Sequence, residues 1–296
     1  MTTAAQTAYA QPRAGRGHFG RIAWLALIYL PPILFIVLPL GAFLVSGFWR
    51  VEESRIVRDL TLENYIEFFR NPLYWTVLTK TMLTALGVTI VCVALAYPVA
   101  VFITILPRRF QFPALVVIVL PLLLSYIIKI YAIRSILGFR GFLNQALVGL
   151  GILDAPSKAL LFNQGALLFT LSIVLLPFTV LPIFTALSQI PATLKDASAD
   201  LGASTASTFF RVVLPLTIPG VLSGAVFTYV LALGDFVTAQ MVGGPNAFSF
   251  GKIIFSQFGI AYDWPMGAAL ATILLIFCLL LIAGVGYLAS RLAVQR

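Results

Sequence analysis

Chemistry on a phosphate, an acyl group or a bound metal needs reactive side chains at set spacings. A phosphate loop of the form G-x-x-x-x-G-K-[ST] cradles phosphate with backbone N–H groups and its lysine. The nearest approach here is Gly251-Lys252, but Asn246 stands at the first glycine position and Ile253 at the hydroxyl position. No G-x-S-x-G nucleophile elbow occurs. The one histidine, His18, lies near the N-terminus, so neither a zinc set nor a histidine triad can be assembled. Cys92 and Cys278 both fall in apolar runs and read as small core residues, not as a disulfide or a metal pair. The expectation is therefore no catalytic residue, no metal and no cofactor bound by this chain.

Charges inside apolar runs carry more information. Such charges are costly in a membrane and mark a solute or ion path by default. Asp235 falls roughly 25 Å along the fifth apolar run from its inner end, and Lys129 roughly 24 Å along the third, at 1.5 Å per helical residue. Both depths place them in the outer part of a bilayer. One reading is interfacial snorkelling, or a Lys129–Asp235 ion pair. The other puts Asp235 on a solute pathway, where it attracts a cation, with Lys129 and Tyr126 beside it.

The elements that must position these residues follow from composition. The chain has 296 residues, 60% hydrophobic and only 10% charged, against about 25% charged in a soluble domain. A water-facing surface so poor in charge would aggregate. No Asp, Glu, Lys or Arg occurs from Ile22 to Trp49, Thr81 to Pro107, Phe110 to Ile128, Ala159 to Leu194, Val212 to Gly234 or Trp264 to Ser290. A spanning helix needs roughly 20 mainly apolar residues. The runs predict an all-α integral membrane protein with six spans, at about 22–47, 76–105, 113–133, 165–188, 218–240 and 266–289. They lack the alternation of barrel strands. Pro98, Pro121, Pro177 and Pro182 lie inside spans, where kinks are tolerated. Trp24, Tyr29, Trp49, Tyr74, Trp75, Tyr262 and Trp264 read as interfacial anchors. Gly220 and Gly224 form a small-xxx-small pair suited to close helix packing.

Residues 1–20 are polar and read as a disordered cytoplasmic tail, not a signal peptide, leaving 21–296 as one membrane domain. Six spans put both termini on one side. Lys and Arg divide almost evenly between the two sides, and the tight Arg108-Arg109 pair is the best local vote for the cytoplasm. The net charge of +9 is dispersed over loop ends. No basic stripe follows a phosphate backbone, so nucleic acid is excluded as a partner. In the first outer loop, Leu62, Tyr65, Ile66 and Phe69 recur at helical spacing and predict an amphipathic helix lying at the surface or docking on a partner. Phe142, Leu143, Ala146, Leu147 and Leu150 do the same further on.

The segment from Pro191 to Pro215 is more than a connector. Thr193 is placed to cap a helix and Asp196 to suit its positive end. Leu194, Ala197 and Leu201 share one face. Gly202 can end the helix in a left-handed conformation. Ser204 or Thr205 can cap a second helix carrying Phe209, Phe210 and Val213, and Pro215 and Pro219 punctuate the entry to the fifth span. Small residues (Ala197, Ser198, Ala199, Ala203) let another backbone come close. On spacing alone, a generic helical connector stays equally open.

This segment resembles the E-A-A-x-x-x-G motif, followed by a hydrophobic stretch and L-P, of ATP-binding-cassette importer permeases. Asp196-Ala197-Ser198 stands for Glu-Ala-Ala, Gly202 sits at the expected spacing, and Leu214-Pro215 closes the motif. Leu233-Gly234-Asp235-Phe236, Gly243-Gly244, Asp263 through Ala269 and Tyr126 through Leu143 are similar to the spermidine/putrescine group of these permeases. The resemblance runs from about Leu62 to the C-terminus. It implies a MetI-like, type I permease fold: a six-helix half-pore in the bacterial inner membrane that pairs with a second permease and rests on two ATPase subunits. ATP and Mg would sit on those ATPase subunits, and a periplasmic solute-binding protein would deliver the cargo. Asp196, Ala197, Ser198 and Gly202 would then form the coupling element. The alternatives are a secondary transporter driven by an ion gradient, or a membrane scaffold. No clear repeat between 22–133 and 165–289 favours the first, and the second leaves the 191–215 loop unexplained.

Overall fold

The computed structural model describes residues 27–53, 55–244, 247 and 249–294. The expected tail, Trp24, His18 and Asn246 lie outside the described residues.

The apolar runs fold as helices because a backbone in lipid must satisfy its own polar groups. Helix α1 is Leu27–Ser46, and no residue from Leu27 to Leu40 is buried within the chain. A short antiparallel hairpin follows, β1 (Arg50–Glu52) and β2 (Arg55–Val57), an addition to the all-helical expectation. Arg50 holds the hairpin region through ion pairs with Glu52 and Asp59. Helix α2 (Glu63–Arg70) docks through Phe68, 1% exposed, against Tyr74 and Phe250. Ile66 and Phe69 of the predicted apolar face stay exposed on the chain, and Tyr74 is core rather than an interfacial anchor. The long helix α3 is Pro72–Ile105; Asn71 caps it by accepting from Leu73 N, and proline at its first position lacks only an N–H that would be unpaired anyway.

The third predicted span is not one helix. Helix α4 (Arg108–Leu123) ends where Leu124 and Ser125 turn extended, and α5 (Tyr126–Leu137) and α6 (Phe142–Gly149) follow. The two halves, Arg108–Leu123 and Tyr126–Gly149, meet at 97°. A straight span over 113–133 is thus corrected to a broken one. Next come α7 (Gln164–Ser188), capped by Asn163 on Ala166 N, and the loop helix α8 (Ala192–Asp200). Helix α9 is Thr205–Gly234, 30 residues. It begins well before the predicted start at 218 and stops before the predicted end at 240. The chain closes with α10 (Val237–Val242), α11 (Phe250–Gly259) and α12 (Trp264–Val294). Among the described residues, five helices are long and apolar enough to cross a bilayer, six if the bent pair is counted as one span.

Helices α3, α7 and α9 pack most extensively and form the core. Val88, Ala96 and Ala100 of α3, Val180 and Ile183 of α7 and Leu233 of α9 are fully enclosed. Buried hydroxyls are paired across the helices: Thr179 with Thr228 at 2.6 Å and Tyr97 with Thr217 at 2.9 Å. Gly220 and Gly224 lie against α7. A Cβ at Gly220 would stand 2.5 Å from Ala186 Cβ and 2.7 Å from Pro182 O, and one at Gly224 would stand 3.0 Å from Thr179 O. Gly220→Ala should therefore overpack this contact, cost about 1–3 kcal/mol and lower the melting temperature of the protein in nanodiscs. An unchanged melting temperature would show that α7 and α9 do not meet closely at Gly220.

Candidate functional site

Two helix breaks face each other. One is Leu124-Ser125, between α4 and α5. The other follows α9, where Asp235 turns extended at φ −73°, ψ 125° and Phe236 leads into α10. Asp235 therefore caps the end of α9 and lies outside the helix that was predicted to carry it. The α9 helix of 30 residues is about 45 Å long at 1.5 Å per residue, so Asp235 stands at the end remote from the 191–215 loop.

Both carboxylate oxygens of Asp235 are engaged. Oδ1 accepts from Thr238 N at 2.9 Å, an aspartate capping the first turn of α10. Oδ2 accepts from the hydroxyl of Tyr126, the first residue of α5. The same Tyr126 hydroxyl lies 3.0 Å from Thr238 Oγ1. One aspartate thus ties the two breaks together. Lys129 sits one turn along α5, with Nζ 5.5 Å from the centroid of the Tyr126 ring. It forms no ion pair with Asp235 among the contacts of the described residues, so the paired reading of these two charges is corrected. Its depth also no longer follows from a straight third span.

Tyr126, Lys129 and Asp235 line one cavity of about 570 Å³. Leu122, Leu124, Phe178, Val230 and Leu231 supply apolar wall. A concave, mostly apolar space with a few convergent polar groups is the usual form of a small-molecule site. Its chemistry is recognition: a carboxylate offers further lone pairs to an ammonium group, and the apolar wall can lie along methylene groups. The sequence reading missed Thr238, although Asp-x-x-Thr over 235–238 has the spacing of a cap and could have shown that Asp235 stands outside a helix.

The second candidate lies at the other end of α9. Pro191 is the N-cap of α8 with no side-chain cap bond, so Thr193 lies inside the helix instead of capping it. Asp196 lies past the first turn, which removes the helix-dipole role expected for it. The predicted apolar face is exposed, Leu201 at 89%. Gly202 has φ +79°, the left-handed conformation that glycine adopts without strain. Gly202 N donates to Ala199 O at 2.8 Å and Ala203 N to Ser198 O at 3.1 Å, the two bonds that close a helix through such a turn. Ser204 then accepts from Ser207 N and starts α9. Leu214 and Pro215 fall inside α9, not at its entry. Proline has no N–H for the carbonyl four residues back, and a π-helical stretch over Phe209–Val213 precedes it, the form a helix takes where its bonding register slips. The structure brings Asp196, Ala197, Ser198 and Gly202 together on one short helix and turn. It adds Thr208, whose hydroxyl lies 2.9 Å from that of Ser198 and which no sequence spacing marked.

A family model described as "Binding-protein-dependent transport system inner membrane component" matches residues 157–294. The chain is 35% identical to the spermidine/putrescine transport system permease protein PotB of Haemophilus influenzae, over 90% of this chain and 93% of that one. It is 34% identical to PotB of Escherichia coli, over 88% and 94%. The fold is like that of a chain in the crystal structure of a bacterial alginate ABC transporter bound to its alginate-carrying periplasmic protein. That likeness has a TM-score of 0.68 over 92% of this chain and 94% of that chain, at 13% identity, which bears on the fold alone.

Proposed function

The chain belongs to the family of binding-protein-dependent transport system inner membrane components, and from that premise we propose that its cargo is a small organic polycation of the spermidine or putrescine kind. It is a permease subunit of an ATP-binding-cassette importer, a transport protein of the inner membrane and not an enzyme. An ion-gradient transporter is thereby set aside.

The observation that carries the cargo reading is Asp235 on the wall of the 570 Å³ cavity, held by Tyr126 and Thr238 and, among the described contacts, not ion-paired with Lys129 on the same wall. The carboxylate offers acceptor lone pairs on the cavity wall, and a charge-assisted bond from an ammonium is among the stronger polar contacts. The names of the relatives support the same class of cargo. In this reading a second permease completes the pore, two ATPase subunits bind ATP and Mg, and a periplasmic protein delivers the solute. The α8 turn, with Asp196, Ala197, Ser198 and Gly202, docks on an ATPase subunit. That places the 191–215 loop and both termini in the cytoplasm.

A competition panel tests the cargo. The full transporter in proteoliposomes should import labelled putrescine or spermidine, and other diamines and triamines should compete. Molybdate and neutral oligosaccharides should not. Import of an anionic solute with no effect of polyamines would overturn the reading.

A further inference from the structure

We propose that Ser198 and Thr208 form a hydroxyl clamp that sets the angle between α8 and α9, so that a displacement of α8 moves α9 as one rigid lever. The inference rests on the coupling role given to α8 above. Helix α8 has nine residues, below the roughly 12–15 needed for a helix to persist alone in water. Its residues are exposed except for Ser198, which is half-buried. Under it lies a cavity of about 300 Å³ between Lys195 and Ala199 of α8, Thr104 and Ile105 of α3, and Thr208. Packing therefore does little to fix α8 against the bundle on that side.

The backbone bonds at Gly202 close the turn but end at Ala203, short of α9. The bond from Ser198 to Thr208, 2.9 Å long, does cross from one helix to the other. Thr208 immediately precedes the π-helical stretch, whose first residue, Phe209, meets the Tyr97 ring edge-on at 5.7 Å. Tyr97 in turn bonds Thr217. The clamp is thus seated where α9 is already tied to α3. From there α9 runs unbroken to Gly234 and delivers any tilt to Asp235. Alanine at 198, as in the E-A-A pattern that this chain resembles, would have no hydroxyl to make the bond. Ser198 therefore stiffens a joint that the backbone alone leaves free to bend.

The test uses the full transporter in proteoliposomes with labelled putrescine and spermidine as probes, and reads solute imported per ATP hydrolysed. Ser198→Ala and Thr208→Val should each lower that ratio by roughly two- to tenfold, the range that one net hydrogen bond supports. Thr208→Val, outside the docking turn, should still co-purify with its partner subunits. The double variant should be no worse than either single one, because both remove the same bond. Thr208→Ser keeps the hydroxyl and should keep the ratio. A wild-type ratio in both single variants, or losses that simply add in the double variant, would overturn the clamp. If the wild-type complex itself imports solute without hydrolysing ATP, the coupling reading fails and the clamp with it.

Discussion

Gly202→Glu should leave the spans inserted and the subunit folded, yet reduce ATP-driven uptake to near background. The cost within the chain is small. Gly202 has φ +79° and its Cβ would meet nothing within 4 Å, so the new side chain projects outward and adds only the roughly 1–2 kcal/mol of a left-handed non-glycine residue. The effect falls on docking. An unpaired charge buried in an interface costs about 3–5 kcal/mol, which is on the order of a hundredfold or more in affinity. Purified complexes should accordingly lose ATPase subunits while this chain remains in the membrane. Gly202→Ala carries the backbone strain without the charge and should lose much less. Full ATP-coupled uptake by Gly202→Glu would mean that this turn meets no partner.

Asp235→Asn should raise the KM for polyamine uptake by about ten- to a hundredfold, the range of a hydrogen bond to a charged group worth 1.5–3 kcal/mol. The substitution is discriminating because asparagine is as good a cap as aspartate. Its carbonyl oxygen can still accept from Thr238 N, and the Tyr126 hydroxyl can still bond to the side chain. The link between α5 and α10 is kept while the charge is removed. Melting temperature and co-purification should stay close to those of the unaltered protein. Unchanged uptake kinetics would leave Asp235 a structural cap and remove it from the solute pathway.

Much of the fold was legible because the bilayer imposes it. Six charge-free runs correspond to five long helices and one bent pair, and Gly202 with Leu214-Pro215 marked the family. The breaks were hidden for a physical reason. The run from Phe110 to Ile128 carries no charge, and hydropathy has no term for the break at Leu124 and Ser125. Asp235 was placed inside a helix because apolar residues continue after it through Val237, while the capping bond to Thr238 decides otherwise. The start of α9 at the Ser204 cap was legible, but its continuity with the fifth span was not. Pro215 and Pro219 looked like punctuation, but the π-helical stretch lets one helix run from Thr205 past both. The pairing of Tyr126 with Asp235 spans 109 residues in sequence. It follows from where two breaks meet, which no local pattern encodes. For α2, periodicity found the helix and its outward apolar residues but not Phe68, whose burial follows from its aromatic partners Tyr74 and Phe250.

The central claim is that this chain is a passive half of a pore whose movement is driven by ATP hydrolysed elsewhere. The most direct measurement is uptake of labelled putrescine and spermidine by proteoliposomes holding this chain with its second permease, ATPase and binding protein. ATP on the ATPase side should drive uptake in the absence of any ion gradient, and a non-hydrolysable analogue should stop it. Uptake driven by a proton or sodium gradient alone, with no ATPase subunit co-purifying, would contradict the account.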